Sequence, residues 1–179
     1  MESTYLDRLT VPVAATLRDN LDDAPSLKHF LKGAWLGHPL HPVLTDIPIG
    51  AWTAGVVLDA TAPPDWARDE GYAAATDTVM LVGLLGALGA ALTGLTDWSA
   101  TEGERRRLGF VHGVTNVTAT SLFTISLLAR HRGRRAAAKR YAAVGYLVAL
   151  AGAYLGGHLV FRKEVGVSPD GPSELAGRS

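Results

Sequence analysis

Three long stretches of the chain carry no formal charge, and each is long enough to cross a membrane. These uncharged stretches are residues 78–96, 108–129 and 141–161, and they are rich in Leu, Ala, Val and Gly. A helix needs about 20 apolar residues to cross a hydrocarbon layer about 30 Å thick, because each residue adds about 1.5 Å. The pattern therefore predicts three transmembrane helices.

A fourth and weaker apolar segment precedes these three. It begins near Pro42, contains Asp46 and Pro48, and continues to Asp59. Pro42 suits the first position of a helix, whereas Pro48 removes a backbone hydrogen bond inside the helix and should kink it. This segment would complete an even-numbered bundle with short loops, so we predict that it is also a span.

A soluble four-helix bundle is the alternative to this membrane interpretation. Such a bundle would need a polar stripe along each helix, and residues 81–92 and 122–128 show no charged stripe. Hydrophobic residues make up 47% of the chain and charged residues 19%, with a mean hydropathy of +0.14. We therefore predict an all-α protein, a four-helix up-down transmembrane bundle over residues 35–167.

The segments on either side of the predicted bundle differ from it. Residues 1–34 include two stretches, 11–21 and 26–35, that predict short amphipathic helices on the membrane surface. The first 32 residues mix acids and bases without a long apolar run, so no signal peptide is expected. Residues 168–179 are rich in Gly, Pro and Ser and are predicted to be disordered.

Glycines recur within the spans at a spacing that brings helix backbones close together. Gly109 with Gly113, and Gly152 with Gly156, have the small-xxx-small spacing of closely packed membrane helices. We expect these glycines to serve packing within one chain rather than a dimer, although an oligomer stays open. The basic residues near the span ends divide evenly between the two sides and give no orientation.

The up-down topology gathers polar residues at the span ends that lie on the side of the two termini. Each of the four spans contributes to this set, which contains His38, His41, Asp46, Asp97, His112, Asn116, Gly156, Gly157 and His158. Ionisable residues within a span are energetically costly, so they usually face the bundle interior and have a function. A shared polar layer near one membrane surface is therefore expected.

Three interpretations of this polar layer are open. In the first, imidazoles bind haem b axially, either His41 or His38 with His112, or His112 with His158. Gly156 and Gly157 would give the flat macrocycle room. The candidate cofactor-binding residues are then His38, His41, His112, Asn116, Gly156, Gly157 and His158.

In the second interpretation, the same histidines bind a transition metal such as zinc, copper or iron. The candidate metal ligands are His38, His41, Asp46, Asp97, His112 and His158. In the third, the polar groups only bond one another and cap helix ends, with no cofactor.

The charged residues at the other span ends are given simpler roles. Asp59 and Asp77 are expected to cap helices or meet water, and residues 130–140 to form a solvated loop near lipid headgroups.

Several classes of function are excluded or disfavoured by composition. The chain has no cysteine, which rules out disulfides, iron–sulfur clusters and covalent attachment of c-type haem. Lys+Arg and Asp+Glu are equal at 17 each, so no basic field indicates nucleic acid. No nucleophile elbow, phosphate-binding loop or zinc-protease motif is present, so we do not expect an enzyme.

Four short motifs, together with His112 and Asn116, resemble a known pattern. They are Gly37–Pro42 (GHPLHP), Thr45–Gly50 (TDIPIG), Thr93–Trp98 (TGLTDW) and Tyr154–Val160 (YLGGHLV). In this respect the chain resembles the bacterial membrane-protein family known as domain of unknown function 2231, over about residues 35–167. The family has no assigned activity, and some members are fused to Rieske iron–sulfur domains.

That resemblance implies a multi-pass protein of the bacterial inner membrane, embedded in the lipid bilayer. The Rieske fusions imply redox partners, such as a Rieske-type protein. They favour the haem or electron-transfer interpretation over the transition-metal interpretation and over a structural or interaction module without a cofactor.

Overall fold

The computed structural model describes residues 5–63, 65 and 69–167. Within this part of the chain there are six α-helices and no β-strand. The helices are α1 (Tyr5–Asp22), α2 (Pro25–Lys32), α3 (Leu40–Thr61), α4 (Glu70–Ser99), α5 (Gly103–His131) and α6 (Arg135–Lys163). The predicted disordered tail, residues 168–179, lies outside the described residues.

Helices α3, α4, α5 and α6 are each long and apolar enough to cross a membrane. The all-helical, four-span fold is therefore confirmed, including the weak first span. Helix α3 continues through Pro48 from Leu40 to Thr61. Helices α4 and α6 begin at Glu70 and Arg135, well before the uncharged stretches that predicted them.

The turn that leads into α3 depends on a glycine. Gly33 has a φ of 77°, a left-handed conformation that L side chains rarely adopt. A Cβ at this position would lie 2.2 Å from the carbonyl oxygen of His38, so no other residue fits. The chain then passes through the short 3₁₀ turn Ala34–Leu36 and enters α3.

The described residues divide into two compact units, and each contains parts of all four spanning helices. The first, here called the histidine unit, comprises Met1–Val43, Gly89–Val114 and Ala153–Ser179. The second, here called the arginine unit, comprises Leu44–Leu88 and Thr115–Gly152.

The core of the arginine unit is built from large side chains that pack on glycines. Trp52 of α3 stacks on Phe123 of α5, with ring centroids 4.0 Å apart. A Cβ on Gly83 of α4 would lie 2.3 Å from the Trp52 indole, so only a glycine leaves room for this ring. The helices approach closely because one side contributes no side chain, which is the packing mode of membrane helices.

The N-terminal helices are present as predicted, although α1 begins earlier than expected. Thr10 and Ala14 of α1 are buried. Asp7 accepts hydrogen bonds from Arg106 at 3.2 Å and from Arg107 at 3.0 Å, near the start of α5. Helix α1 is therefore docked on the spanning part of the histidine unit, and its contact with a membrane surface stays a prediction.

Helices α1 and α2 are also joined to each other and to the following turn. Lys28 of α2 forms an ion pair with Asp22 of α1, and this hydrogen bond lowers the pKa of the Asp22 carboxyl. Trp35 stacks on Phe30 with ring centroids 5.8 Å apart, and its indole donates to the Phe30 carbonyl at 3.1 Å.

Candidate paired-histidine site

His41 lies near the start of α3 and is half-buried against α4. Its Nδ1 is 2.8 Å from the carbonyl oxygen of Ala90, and the Thr93 hydroxyl is 3.5 Å from the same nitrogen. A carbonyl oxygen only accepts hydrogen bonds, so the proton of a neutral His41 ring belongs on Nδ1. This contact fixes the orientation of the ring and leaves the lone pair on Nε2.

His112, near the start of α5, faces His41. The two ring centroids are 6.4 Å apart, and the ring planes are nearly perpendicular at 88°. The first and third spans thus bring together one of the histidine pairs proposed from the sequence. Whether these imidazoles ligate anything stays a prediction.

Two glycines from the polar motifs lie directly against these imidazoles. A Cβ on Gly94 of α4 would be 2.7 Å from Cε1 of His41, and one on Gly156 of α6 would be 3.0 Å from Cε1 of His112. Real Cβ atoms are almost never found at these distances, so each glycine provides the space that its histidine occupies. Gly157 has only a distant contact, with Phe161 at 3.9 Å.

The other sequence-predicted histidines are placed differently. His38 is exposed, and His158 is half-buried on α6. Over residues 5–63, 65 and 69–167, neither forms a ring contact or hydrogen bond with His41 or His112. The structure therefore favours the pair His41–His112 among the alternatives.

The acidic and amide residues of the predicted layer differ in exposure and in the glycines that they contact. Asp46 is exposed, and Asp97 is half-buried beside Gly166, where a Cβ would lie 3.3 Å from its Oδ2. Asn116 belongs to the arginine unit, and its Oδ1 lies against Gly152 of α6. In the described part of the chain, no three His, Asp or Glu side chains are close enough to hold one metal ion.

A cluster of charged residues in the arginine unit was missed by the sequence analysis. The Arg130 side chain has no solvent exposure and forms ion pairs with Asp59 and, at 3.5 Å, with Asp77. Arg135 donates to both oxygens of Asp77 at 3.0 and 3.1 Å, and Lys139 donates to the Asp59 carbonyl at 2.7 Å. We call these five residues the ion-pair cluster.

The ion-pair cluster corrects two expectations. Asp59 and Asp77 do not simply cap helices or meet water, because both bind arginines. Most of residues 130–140 lies in α5 and α6 rather than in a solvated loop. A second polar set therefore exists, at the end of α3, in the first part of α4, at the end of α5 and at the start of α6. Applying the up-down topology to these helix ends, as was done for the histidines, would have placed Asp59, Asp77 and Arg130 together.

The fold and the site define a class: an all-helical, multi-pass integral membrane protein with a pair of histidines packed on glycines. The histidines lie near the starts of α3 and α5, and the glycines lie near the ends of α4 and α6. The family described as "Predicted membrane protein (DUF2231)" matches residues 37–169, and the chain belongs to this family. The match begins at the GHPLHP motif and includes all four spans. A search of curated proteins and a search of solved structures returned no match.

Proposed function

We propose that the histidine unit binds haem b through His41 and His112, and that the protein is a small electron-transfer subunit of the bacterial inner membrane. The observation that carries this proposal is the 6.4 Å separation of the two imidazole centroids. An imidazole–metal bond is about 2 Å long, so two imidazoles that held one haem iron would have centroids about 6 Å apart. The observed separation fits that arrangement.

The number of nearby ligands favours haem over a bare metal ion. Structural zinc takes four protein ligands and catalytic zinc three. No group of three His, Asp or Glu side chains is close enough among the residues described. In haem, the macrocycle supplies the equatorial nitrogens, and the protein needs to supply only axial ligands such as histidine. Two imidazoles therefore suit haem better than zinc.

The surrounding residues have definite roles in this proposal. The Ala90 carbonyl accepts a hydrogen bond from His41 Nδ1, which orients the ring and leaves Nε2 as the nitrogen that would bind the iron. Gly94 and Gly156 provide the space for the two imidazoles. Haem iron would supply reversible one-electron exchange, and the resemblance to members fused to Rieske domains indicates a Rieske-type partner.

The test is a reduced-minus-oxidised absorption spectrum of protein purified in detergent from cells with ample haem. We expect a Soret band in the wild type and its loss in His41→Ala and in His112→Ala. His29→Ala and His131→Ala, which change exposed histidines, are the matched controls and should keep the band. A folded wild-type protein without any Soret band would overturn the haem proposal.

A structural module without a cofactor is the second candidate, and one observation favours it. His41 is already hydrogen-bonded to the Ala90 carbonyl and packed on Gly94, so the imidazole has a structural role of its own. This candidate predicts that the wild-type protein shows no haem spectrum and that the His41→Ala protein is less thermally stable than the wild type. The haem spectrum and the thermal stability can be measured on the same purified samples, so one set of samples distinguishes the two candidates.

A further inference from the structure

The arginine unit contains an open groove between α4 and α5 that the paired-histidine site does not use. Its volume is about 260 Å³, and it is lined by Asp77, Thr78, Leu81, Leu127 and His131. The polar side chains lie toward the start of α4 and the end of α5. Leu81 follows Asp77 by about one turn in α4, and Leu127 precedes His131 by about one turn in α5. The groove is therefore polar at one end and apolar at the other.

The lining at the polar end of the groove contains one carboxylate and no guanidinium, but arginines pair with that carboxylate or follow His131 closely in the chain. Its one carboxylate, Asp77, is bound by Arg135 at 3.0 Å and also paired with Arg130. His131 is exposed, and the following turn presents Arg132 and Arg134, which are exposed and form no ion pair with any residue that the structure describes. An anion near this end would find free guanidinium groups and a neutralised carboxylate.

We propose that this groove binds an anionic phospholipid. The headgroup phosphate lies beside His131, Arg132 and Arg134, and one acyl chain lies against Leu81 and Leu127. Guanidinium groups bind phosphate through paired charge-assisted hydrogen bonds, which gives them a preference for this group. The apolar end matches a hydrocarbon chain, because α4 and α5 are spanning helices whose outer surfaces face lipid.

The first experiment measures binding of phosphatidylglycerol and phosphatidylcholine to the detergent-purified protein by native mass spectrometry. We expect the wild type to prefer phosphatidylglycerol. A basic residue near an anionic headgroup contributes about fivefold in affinity, so Arg132→Gln/Arg134→Gln should weaken phosphatidylglycerol binding by roughly twenty-five-fold. Arg105→Gln/Arg162→Gln removes the same charge from exposed positions of the histidine unit and should change nothing.

The second experiment tests the apolar end and the source of the phosphate. Leu81→Trp places a large ring in the groove and should reduce phosphatidylglycerol binding, whereas Leu147→Trp, at an exposed position of α6 that does not line the groove, should not. Inorganic phosphate should compete poorly, because it lacks an acyl chain. The proposal fails if phosphatidylglycerol binds Arg132→Gln/Arg134→Gln as tightly as the wild type. It also fails if inorganic phosphate displaces the lipid.

Discussion

Glycines determine which side chains can occupy the interior of this protein. His41 lies against Gly94, His112 against Gly156, and Trp52 against Gly83. In each case a glycine on one helix receives a ring from another. Of the small-xxx-small pairs predicted from the sequence, Gly109 and Gly156 lie against the rings of Trp98 and His112, and Gly152 lies against the Asn116 amide. No atom lies within 4 Å of a Cβ added at Gly113.

The first prediction concerns Gly94. The change Gly94→Ala places a Cβ 2.7 Å from the His41 ring. We expect a loss of about 1–3 kcal/mol in the free energy of unfolding, since overpacking forces side chains and backbone to shift. Unfolding in mixed detergent micelles measures this loss. Gly113→Ala is the matched control, and it should be neutral or stabilising by up to about 1 kcal/mol because alanine favours the helix.

A result in which Gly94→Ala and Gly113→Ala have equal stability would contradict the close contact between His41 and α4. If haem is bound, the Gly94→Ala protein should also lose part of its Soret absorbance, because its axial imidazole is displaced. The stability readout does not depend on the presence of a cofactor.

The second prediction concerns Arg130 in the ion-pair cluster. Removing one member of a buried ion pair leaves the other charge unpaired, at a cost of about 3–5 kcal/mol. We therefore expect Arg130→Met to destabilise the protein by that amount, because Asp59 stays buried. The double variant Arg130→Met/Asp59→Leu should recover most of the loss, since apolar pairs often replace buried ion pairs without penalty.

A double-mutant cycle of unfolding free energies measures this coupling, with the exposed Arg134→Gln as the control. Additive losses in the double variant would show that Arg130 and Asp59 are not coupled. A large loss in Arg134→Gln would show that general positive charge, rather than the buried pair, is what matters.

At the scale of helices, charged residues at the ends explain why the spans are longer than the uncharged stretches. Helix α6 starts at Arg135, whose guanidinium binds Asp77 of α4, and Lys139 donates to the Asp59 carbonyl of α3. Because these basic side chains are paired with a carboxylate or a carbonyl group, they can lie within the end of a helix that crosses the membrane. Hydropathy detects the apolar part of a helix and not such extensions.

The third prediction concerns the attachment of α1. Asp7 and Arg106 each have 13% of the side chain exposed, so their ion pair is partly shielded from water. We expect Asp7→Asn to weaken the docking of α1 by about 1.5–3 kcal/mol, the range for hydrogen bonds to charged groups. Faster amide hydrogen exchange in α1, with unchanged exchange in α4, would be the signature. Asp19→Asn, at an exposed position of the same helix, should leave exchange unchanged.

At the scale of the whole molecule, the two proposed sites use different residues in different units. His41 and His112 belong to the histidine unit, whereas His131, Arg132 and Arg134 belong to the arginine unit. We therefore expect the two activities to separate. Arg132→Gln/Arg134→Gln should keep the haem spectrum of the wild type, and His112→Ala should keep the preference for phosphatidylglycerol. Loss of both properties in either variant would show that the variant disturbs the fold rather than one site.

Hydrophobicity and charge spacing alone determined the four spans and the two N-terminal helices. A bilayer imposes a minimum apolar length on every crossing helix, so the signal is local and visible in one sequence. The same information predicted that His41 and His112 lie at span ends on the same side of the bundle. The topology fixes the depth of a residue in the membrane once the spans are known.

The tertiary structure decided which of these residues face one another. Sequence spacing did not distinguish His38 from His41. Of the two, only His41 contacts α4, where its Nδ1 donates to the Ala90 carbonyl and its ring packs on Gly94. Asp46 is exposed while Asp59, on the same helix, is buried against Arg130. The direction of a side chain depends on how its helix is rotated about its axis, and that rotation is set by packing against the other helices.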